Sequence, residues 1–134
     1  GIWSSAIGHH LSIDLPGTRK SARYHVPGKN PLPDFSHLYL TPAEMREFLY
    51  TGPVDERLIE PIVEWVEQSK KLNRLFYEDY VQHFKACRLK VLHLEGNLRP
   101  QSPPPRKEVL QRLKDLYGDR DHLTENVEVV LRKP

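Results

Sequence analysis

Leu89-Lys90-Val91-Leu92-His93-Leu94-Glu95 alternates apolar and polar side chains with a period of two, and Gly96-Asn97 follows it directly. Successive side chains of a strand point to opposite faces, so this segment reads as a β-strand with one face buried, closed at the glycine. Downstream, Val127-Glu128-Val129-Val130-Leu131 is mostly apolar and β-branched, the pattern of a strand buried in a sheet rather than lying at its edge. Between them Pro100, Pro103, Pro104 and Pro105 make a stiff connection, and Val109, Leu110, Leu113, Leu116 and Tyr117 recur at helical spacing up to Gly118, a C-cap. A strand, a helix and a further strand over 89–134 define an α/β layer pattern.

Upstream the period changes. Tyr77, Tyr80, Val81 and Phe84 recur at i, i+3, i+4 and i+7, which predicts a helix ending near Arg88. From Val54 to Lys71, Leu58, Ile59, Ile62, Val63, Trp65 and Val66 oppose a row of glutamates, a second amphipathic helix in which Pro61 predicts a kink or a fresh start. Thr41-Pro42-Ala43-Glu44 is a helix start: the threonine accepts a backbone N–H, the proline has no donor to lose, and Glu44 bonds back. That helix runs from Pro42 to about Tyr50 and ends at Gly52-Pro53. Leu11 to Leu40 holds Pro16-Gly17, Pro27-Gly28, Pro31 and Pro33 and reads as one long loop, either a lid or a disordered segment; Tyr24, His25, Phe35, His37 and Tyr39 argue against a purely solvated linker. Ile2, Trp3, Ala6 and Ile7, bounded by Gly8, predict another strand. The organisation is then one domain or part of one over 1–134: a loop or lid at 11–40, a helical lid region at 41–88, and strand, helix, strand at 89–134. Three strands make a small sheet for independent stability.

Composition bounds the function. The 134 residues carry 20 Lys and Arg against 18 Asp and Glu, a net charge of +2, too balanced for a binder that works by releasing phosphate counterions. Arg19, Lys20, Arg23 and Lys29 cluster in the loop, but four cations give nucleic acid only a weak, salt-sensitive contact. No apolar run reaches the length of a membrane span, and the single Cys87 can close no internal disulfide, so a reducing, cytoplasmic setting is expected. The opening Gly1-Ile2-Trp3 has no initiator methionine and lacks the basic region of a signal peptide, which leads us to expect a processed chain or a part of something longer.

The chemistry available is that of histidine. His9, His10, His25, His37, His83, His93 and His122 show no metal-ligand spacing, no nucleophile elbow is present, and the seven glycines are isolated from one another, so no phosphate cradle exists. His9 and His10 follow directly on the expected first strand, and ligands of open α/β sheets bind beyond the carboxyl ends of strands. Either imidazole suits proton abstraction near neutrality, with His10 the first candidate; an exposed polar turn accounts for the pair equally well. Asn73-Arg74 lies between two helices, where an amide and a guanidinium could fix an anionic or sugar-like substrate or simply cap a helix.

Gly1-Ile2-Trp3-Ser4-Ser5-Ala6-Ile7-Gly8-His9-His10-Leu11 resembles the stretch of class I S-adenosylmethionine-dependent methyltransferases, particularly bacterial sugar and small-molecule ones, that runs through a strand into an Asp-His pair. Leu72-Asn73-Arg74-Leu75 and Tyr77-Glu78-Asp79-Tyr80 are similar to that family's Asn-Arg-Leu and Asp-Tyr segment, and Asn126 to Pro134 to its closing antiparallel strand. The match comes in scattered blocks, and departs from the family at Gly8, where Asp is common, and at Cys87-Arg88-Leu89, where Ala-Gly-Phe is usual. The resemblance implies the C-terminal part of a Rossmann-like methyltransferase fold, α/β, with about four helices and a mixed sheet of three strands, the last inserted antiparallel between the other two. It implies the substrate-facing portion of an enzyme that moves a methyl group from S-adenosylmethionine to a small hydroxyl or amine acceptor. His10 and His9 would be catalytic, and Asn73, Arg74, Tyr24 and His37 would bind the acceptor. The Gly-rich turn and the acidic residue that hold the cofactor would lie upstream of Gly1, so the isolated chain would be inactive, its partner the rest of the polypeptide, with no metal, nucleic acid or membrane involved. The alternative is a non-catalytic interaction module, in which the acidic helix from Val54 and the proline-rich segment contact a protein partner.

Overall fold

Two turns, each with a glycine at positive φ, organise the segment from Leu11 to Leu40. In the computed structural model, which describes residues 3, 5, 7–26, 28–98 and 105–134, the segment holds two short strands, β1 (Ser12–Asp14) and β2 (Ser21–Arg23), paired antiparallel with Ser12 opposite Arg23 and Asp14 opposite Ser21. Leu15-Pro16-Gly17-Thr18 makes the turn between them: Gly17 has φ +72° and Thr18 N donates to Leu15 O at 3.2 Å, the arrangement of a turn with proline at its second position and glycine at its third. Gly28, at φ +73°, turns the chain again, Lys29 N donating to Val26 O at 3.0 Å, and Arg23 N then donates to Lys29 O at 2.9 Å. The expectation of a loop without secondary structure is thereby corrected. Pro-Gly breaks a periodic pattern, but it also sets a turn, and strands of three residues are too short to show a period of their own.

The chain divides into two compact units, His9–Leu72 and Gly1–Gly8 with Asn73–Pro134. In the first, the hairpin is followed by α1 (Ser36–Tyr39), α2 (Pro42–Thr51) and α3 (Glu56–Gln68). The capping box at the start of α2 is formed as expected, Glu44 N donating to Thr41 Oγ1 and Thr41 N to Glu44 Oε2. Asp55 caps α3 through a bond from Arg57 N. Pro61 neither ends nor restarts α3, which runs through it as one helix. The proline removes one internal hydrogen bond, while Leu58, Ile59, Ile62, Val63 and Val66 are all buried, each contributing about 1.5–3 kcal/mol, so packing overrides the break. Their partners in the core include Leu11, Ala22, Leu32, Met45 and Leu49.

The second unit contains α4 (Tyr77–Ala86), β3 (Lys90–Leu98), α5 (Lys107–Tyr117) and β4 (Thr124–Arg132), with β3 and β4 paired antiparallel. The protein is thus mixed α/β, with five helices and two two-stranded antiparallel sheets among the described residues. The strand expected at Ile2 to Ile7 falls partly on residues outside the described set; Trp3, Ser5 and Ile7 are described and lie in bends and turns. Of the proline connection, Pro100, Pro103 and Pro104 also lie outside it. β3 does not stop at Gly96-Asn97 but passes through both to Leu98. Nor does Val127–Leu131 lie inside a sheet: among the described residues β4 pairs with β3 alone. Val127, Val129 and Leu131 are half-buried while Val130 is 46% exposed, because within this unit α4 lies against one face of the pair. Two bulges adjust the register. One lies between Val91 and His93 and leaves Leu92 50% exposed; the other, between Asn97 and Leu98, lets Thr124 and Glu125 both be buried in succession.

Gly96 is the point of closest approach in this unit. A Cβ there would lie 2.8 Å from Thr124 Cγ2 and 2.9 Å from Tyr77 Cε2. Thr124 cannot rotate away freely, since its Oγ1 donates to Asp121 Oδ2 at 2.7 Å and its N to Asp121 Oδ1 at 2.8 Å. Gly96→Ala is expected to lower stability by about 1–3 kcal/mol, the cost of overpacking, seen as a lower urea midpoint at constant slope. An unchanged midpoint would mean that α4 and β4 separate at no cost.

Candidate functional site

Four of the seven imidazoles, those of His9, His10, His25 and His37, lie in the His9–Leu72 unit. His9 is fully buried, held through its backbone by Trp65 of α3, whose Nε1 donates to His9 O at 2.9 Å. Leu11 N donates to His9 Nδ1 at 3.2 Å. The neutral ring therefore carries its proton on Nε2, and its one lone pair is engaged. Burial, with the neighbouring His10 charge acting in the same direction, pushes the His9 pKa down from 6.5 to about 4, so the ring is neutral at pH 7. His37, on α1, meets it edge-to-face with ring centroids 5.2 Å apart.

His10 is a different case. Its backbone has φ +40°, a left-handed conformation uncommon outside glycine, which turns the chain sharply between the buried His9 and the buried Leu11. The ring is half-buried and packs edge-on against Tyr24 at 4.8 Å, and Tyr24 in turn packs against His25 at 4.9 Å. Nε2 of His10 is shielded from solvent and has no hydrogen-bond partner among the described residues, and burial lowers the ring's pKa below 6.5.

Of the six residues expected at the site, the structure brings His9 together with His37 and His10 together with Tyr24. Asn73 and Arg74 belong to the other unit, in local roles. Asn73 Oδ1 accepts from Leu75 N at 3.0 Å and Nδ2 donates to Tyr80 Oη, while Arg74, at φ +52°, stacks over the Trp3 ring at 5.4 Å. The same unit holds a charged cluster at α4, in which Arg120 lies 4.0 Å over Phe76 and donates to Asp79 Oδ1 at 2.6 Å.

The first unit also carries a cleft of about 450 Å³ that the sequence does not mark as a site. The hairpin supplies Lys20, Lys29 and Asn30 to one wall, and the α2–α3 corner supplies Phe48, Val54 and Leu58 to the other. Lys20 leads into β2 and Lys29 is returned beside that strand by the turn at Gly28, so both line one cleft.

Among the described residues no three His, Cys, Asp or Glu side chains converge as a metal ion requires, and no helix is long and apolar enough to cross a membrane. Gly17, Gly28 and Gly118, the glycines with positive φ, sit in three separate turns, and none links the end of a strand to the start of a helix. The described residues therefore do not fit S-adenosylmethionine, which in the resembled family rests on such a turn. Comparison of the chain with protein families, with curated proteins and with solved structures finds no match.

Proposed function

We propose that the chain is the substrate-facing portion of a class I methyltransferase, acting on a small hydroxyl or amine acceptor, with S-adenosylmethionine held by residues outside it. The observation that carries this reading is the pairing of β3 with β4. Strands joined through a helix ordinarily run parallel, because a crossover returns the chain to the same end of the sheet. Here the helix-containing connection joins an antiparallel pair, the arrangement that the resemblance implies for the closing strand of the family. The three-stranded mixed sheet belongs to the same proposal: a further strand would pair with the open edge of β4. The rest of the polypeptide would cover the sheet face that leaves Leu92 and Val130 half exposed.

Within this reading His10 removes the acceptor's proton and Tyr24 packs beside it. His9 and His37 support the turn from behind. Asn73, both ends of whose amide are engaged, makes no acceptor contact in the proposal.

The test is a label-transfer assay on the polypeptide that joins this chain to its cofactor-holding part, with methyl-labelled S-adenosylmethionine and a panel of small phenols, sugars and amines. Transfer to one acceptor class is the expected result. If that polypeptide neither binds the cofactor nor transfers label, the reading fails, and the exposed Leu92, Leu98 and Val130 then favour a non-catalytic interaction module, with the same sheet face as its contact.

A further inference from the structure

We infer that the cleft between the hairpin and the α2–α3 corner is a binding site for a small molecule with one anionic head on a flat apolar ring. The inference is independent of methyl transfer and uses none of the imidazoles.

A volume of about 450 Å³ lies in the range of small-molecule sites. Its two walls differ in chemistry. The hairpin wall carries Lys20 and Lys29, and Lys29 Nζ bonds a hydroxyl, Ser21 Oγ at 3.0 Å, which leaves its charge uncompensated. The carboxylate of the cleft, Asp55, is already committed: it takes a forked pair of bonds from Arg57 at 2.9 and 2.8 Å and caps α3. It therefore offsets the guanidinium beside it and in part Lys20, whose charge also acts on it, and leaves Lys29 as the cation of the cleft lining that no carboxylate among the described residues engages. A lysine holds an anion as a compact point charge and suits a single carboxylate or phosphate head.

The opposite wall is apolar. Phe48 is 41% exposed at the cleft, with Val54 and Leu58 beside it and the Pro31 and Pro53 rings completing the surface. Met45 and Leu49, fully buried, hold α2 to the core, while Phe48 on the same helix keeps part of its ring exposed where it lines the cleft. A ring stacked against it removes apolar area from water on both partners. Neither wall alone selects a ligand; together they select a molecule that is ring at one end and anion at the other.

The experiment titrates the full 134-residue chain with phenyl phosphate, benzoate, phenol and inorganic phosphate and follows the backbone amide signals by NMR. Phenyl phosphate or benzoate is expected to shift Ser21, Ala22, Asn30 and Val54, and the tighter of the two identifies the head group. Phenol and inorganic phosphate are expected to bind at least about tenfold more weakly, one lacking the charge and the other the ring. Lys20→Ala with Lys29→Ala, both at exposed positions, should weaken the ring-bearing anion by about tenfold or more while leaving the rest of the spectrum in place. Phe48→Ala should weaken it separately. The inference is overturned if neither ring-bearing anion shifts these signals, if inorganic phosphate binds as well as phenyl phosphate, or if the lysine pair can be removed without effect.

Discussion

Acidification from about pH 7 to about pH 5 is expected to cost the His9–Leu72 unit about 2 kcal/mol, and acidification to about pH 4 about 3 kcal/mol, through His9 alone. The direction follows from the depressed pKa. His9 titrates near 4 in the folded chain and near 6.5 when unfolded, so between those values the unfolded chain takes up a proton that the native one refuses. Stability is unaffected above the unfolded value, falls as the pH drops below it, and stops falling once the native ring is also charged. His10, whose pKa is lowered by burial in the same direction, adds to the slope. The carboxylates act in a lower window: Asp55, held down to about 2 by its hydrogen bonds from Arg57, loses its contribution only below the ordinary carboxylate range, and Glu60, lowered by Arg46, behaves likewise. Urea midpoints at about pH 7, 6 and 5 isolate the histidines. The control is His9→Asn, whose side-chain oxygen can replace Nδ1 as acceptor for Leu11 N but cannot ionise; it should start from a lower stability and show a flatter profile over this range. A wild-type profile as flat as that of the variant would mean that the buried ring is charged and stabilised by a counter-ion.

The boundaries that sequence located well are those decided by local chemistry. The capping box of Thr41 and Glu44, the glycine stop at Gly118 and the 3.6-residue stripe of α3 each depend on residues within one or two turns of each other. Where tertiary packing decides, local reading failed. Pro61 reads as a kink or a fresh start, and the fresh start does not occur, because five buried neighbours hold α3 through it as one helix. Gly96 reads as a strand end because glycine is a poor strand former, but here its missing side chain makes room for Tyr77 and Thr124 inside the strand. Val127 to Leu131 reads as an inner strand by composition, and composition does not reveal that, among the described residues, β4 pairs with β3 alone. Of the hairpin, sequence shows only the turn signature of Leu15-Pro16-Gly17-Thr18, since strands of three residues with Ile13 as their one strong β-former carry no readable period. The cleft is no more visible in the sequence, because Lys29 comes to the same lining as Lys20 only through the turn at Gly28 that returns the chain beside β2. The pairing of His9 with His37 and of His10 with Tyr24 depends on contacts across this unit that no spacing in the chain encodes.

In the methyl-transfer reading, replacing His10 with Ala should lower kcat by about 100-fold or more with cofactor affinity nearly unchanged, the loss that removal of a general base produces. The assignment to His10 rather than His9 follows from the lone pairs. A base needs a free ring nitrogen, and the only one His9 has accepts from Leu11 N in a fully buried ring. Removing that bond would leave a buried N–H unpaired and cost stability as well as rate. His10 makes no such commitment: its Nε2 bonds nothing among the described residues, and its ring is neutral at pH 7 because burial disfavours the charged form. A neutral imidazole ready to accept a proton should give a kcat/KM that rises with pH through a value below 6.5 and is level above it. His10→Ala should abolish that limb, and imidazole added to the solution should restore part of the rate. His10→Gln separates the base from its packing, since the amide fills much of the ring's space against Tyr24 without taking a proton at neutral pH. If His10→Gln retains full turnover, the residue serves only as the left-handed turn between His9 and Leu11. In that case His10→Gly, which relieves the strain of φ +40°, should raise stability and leave the rate untouched.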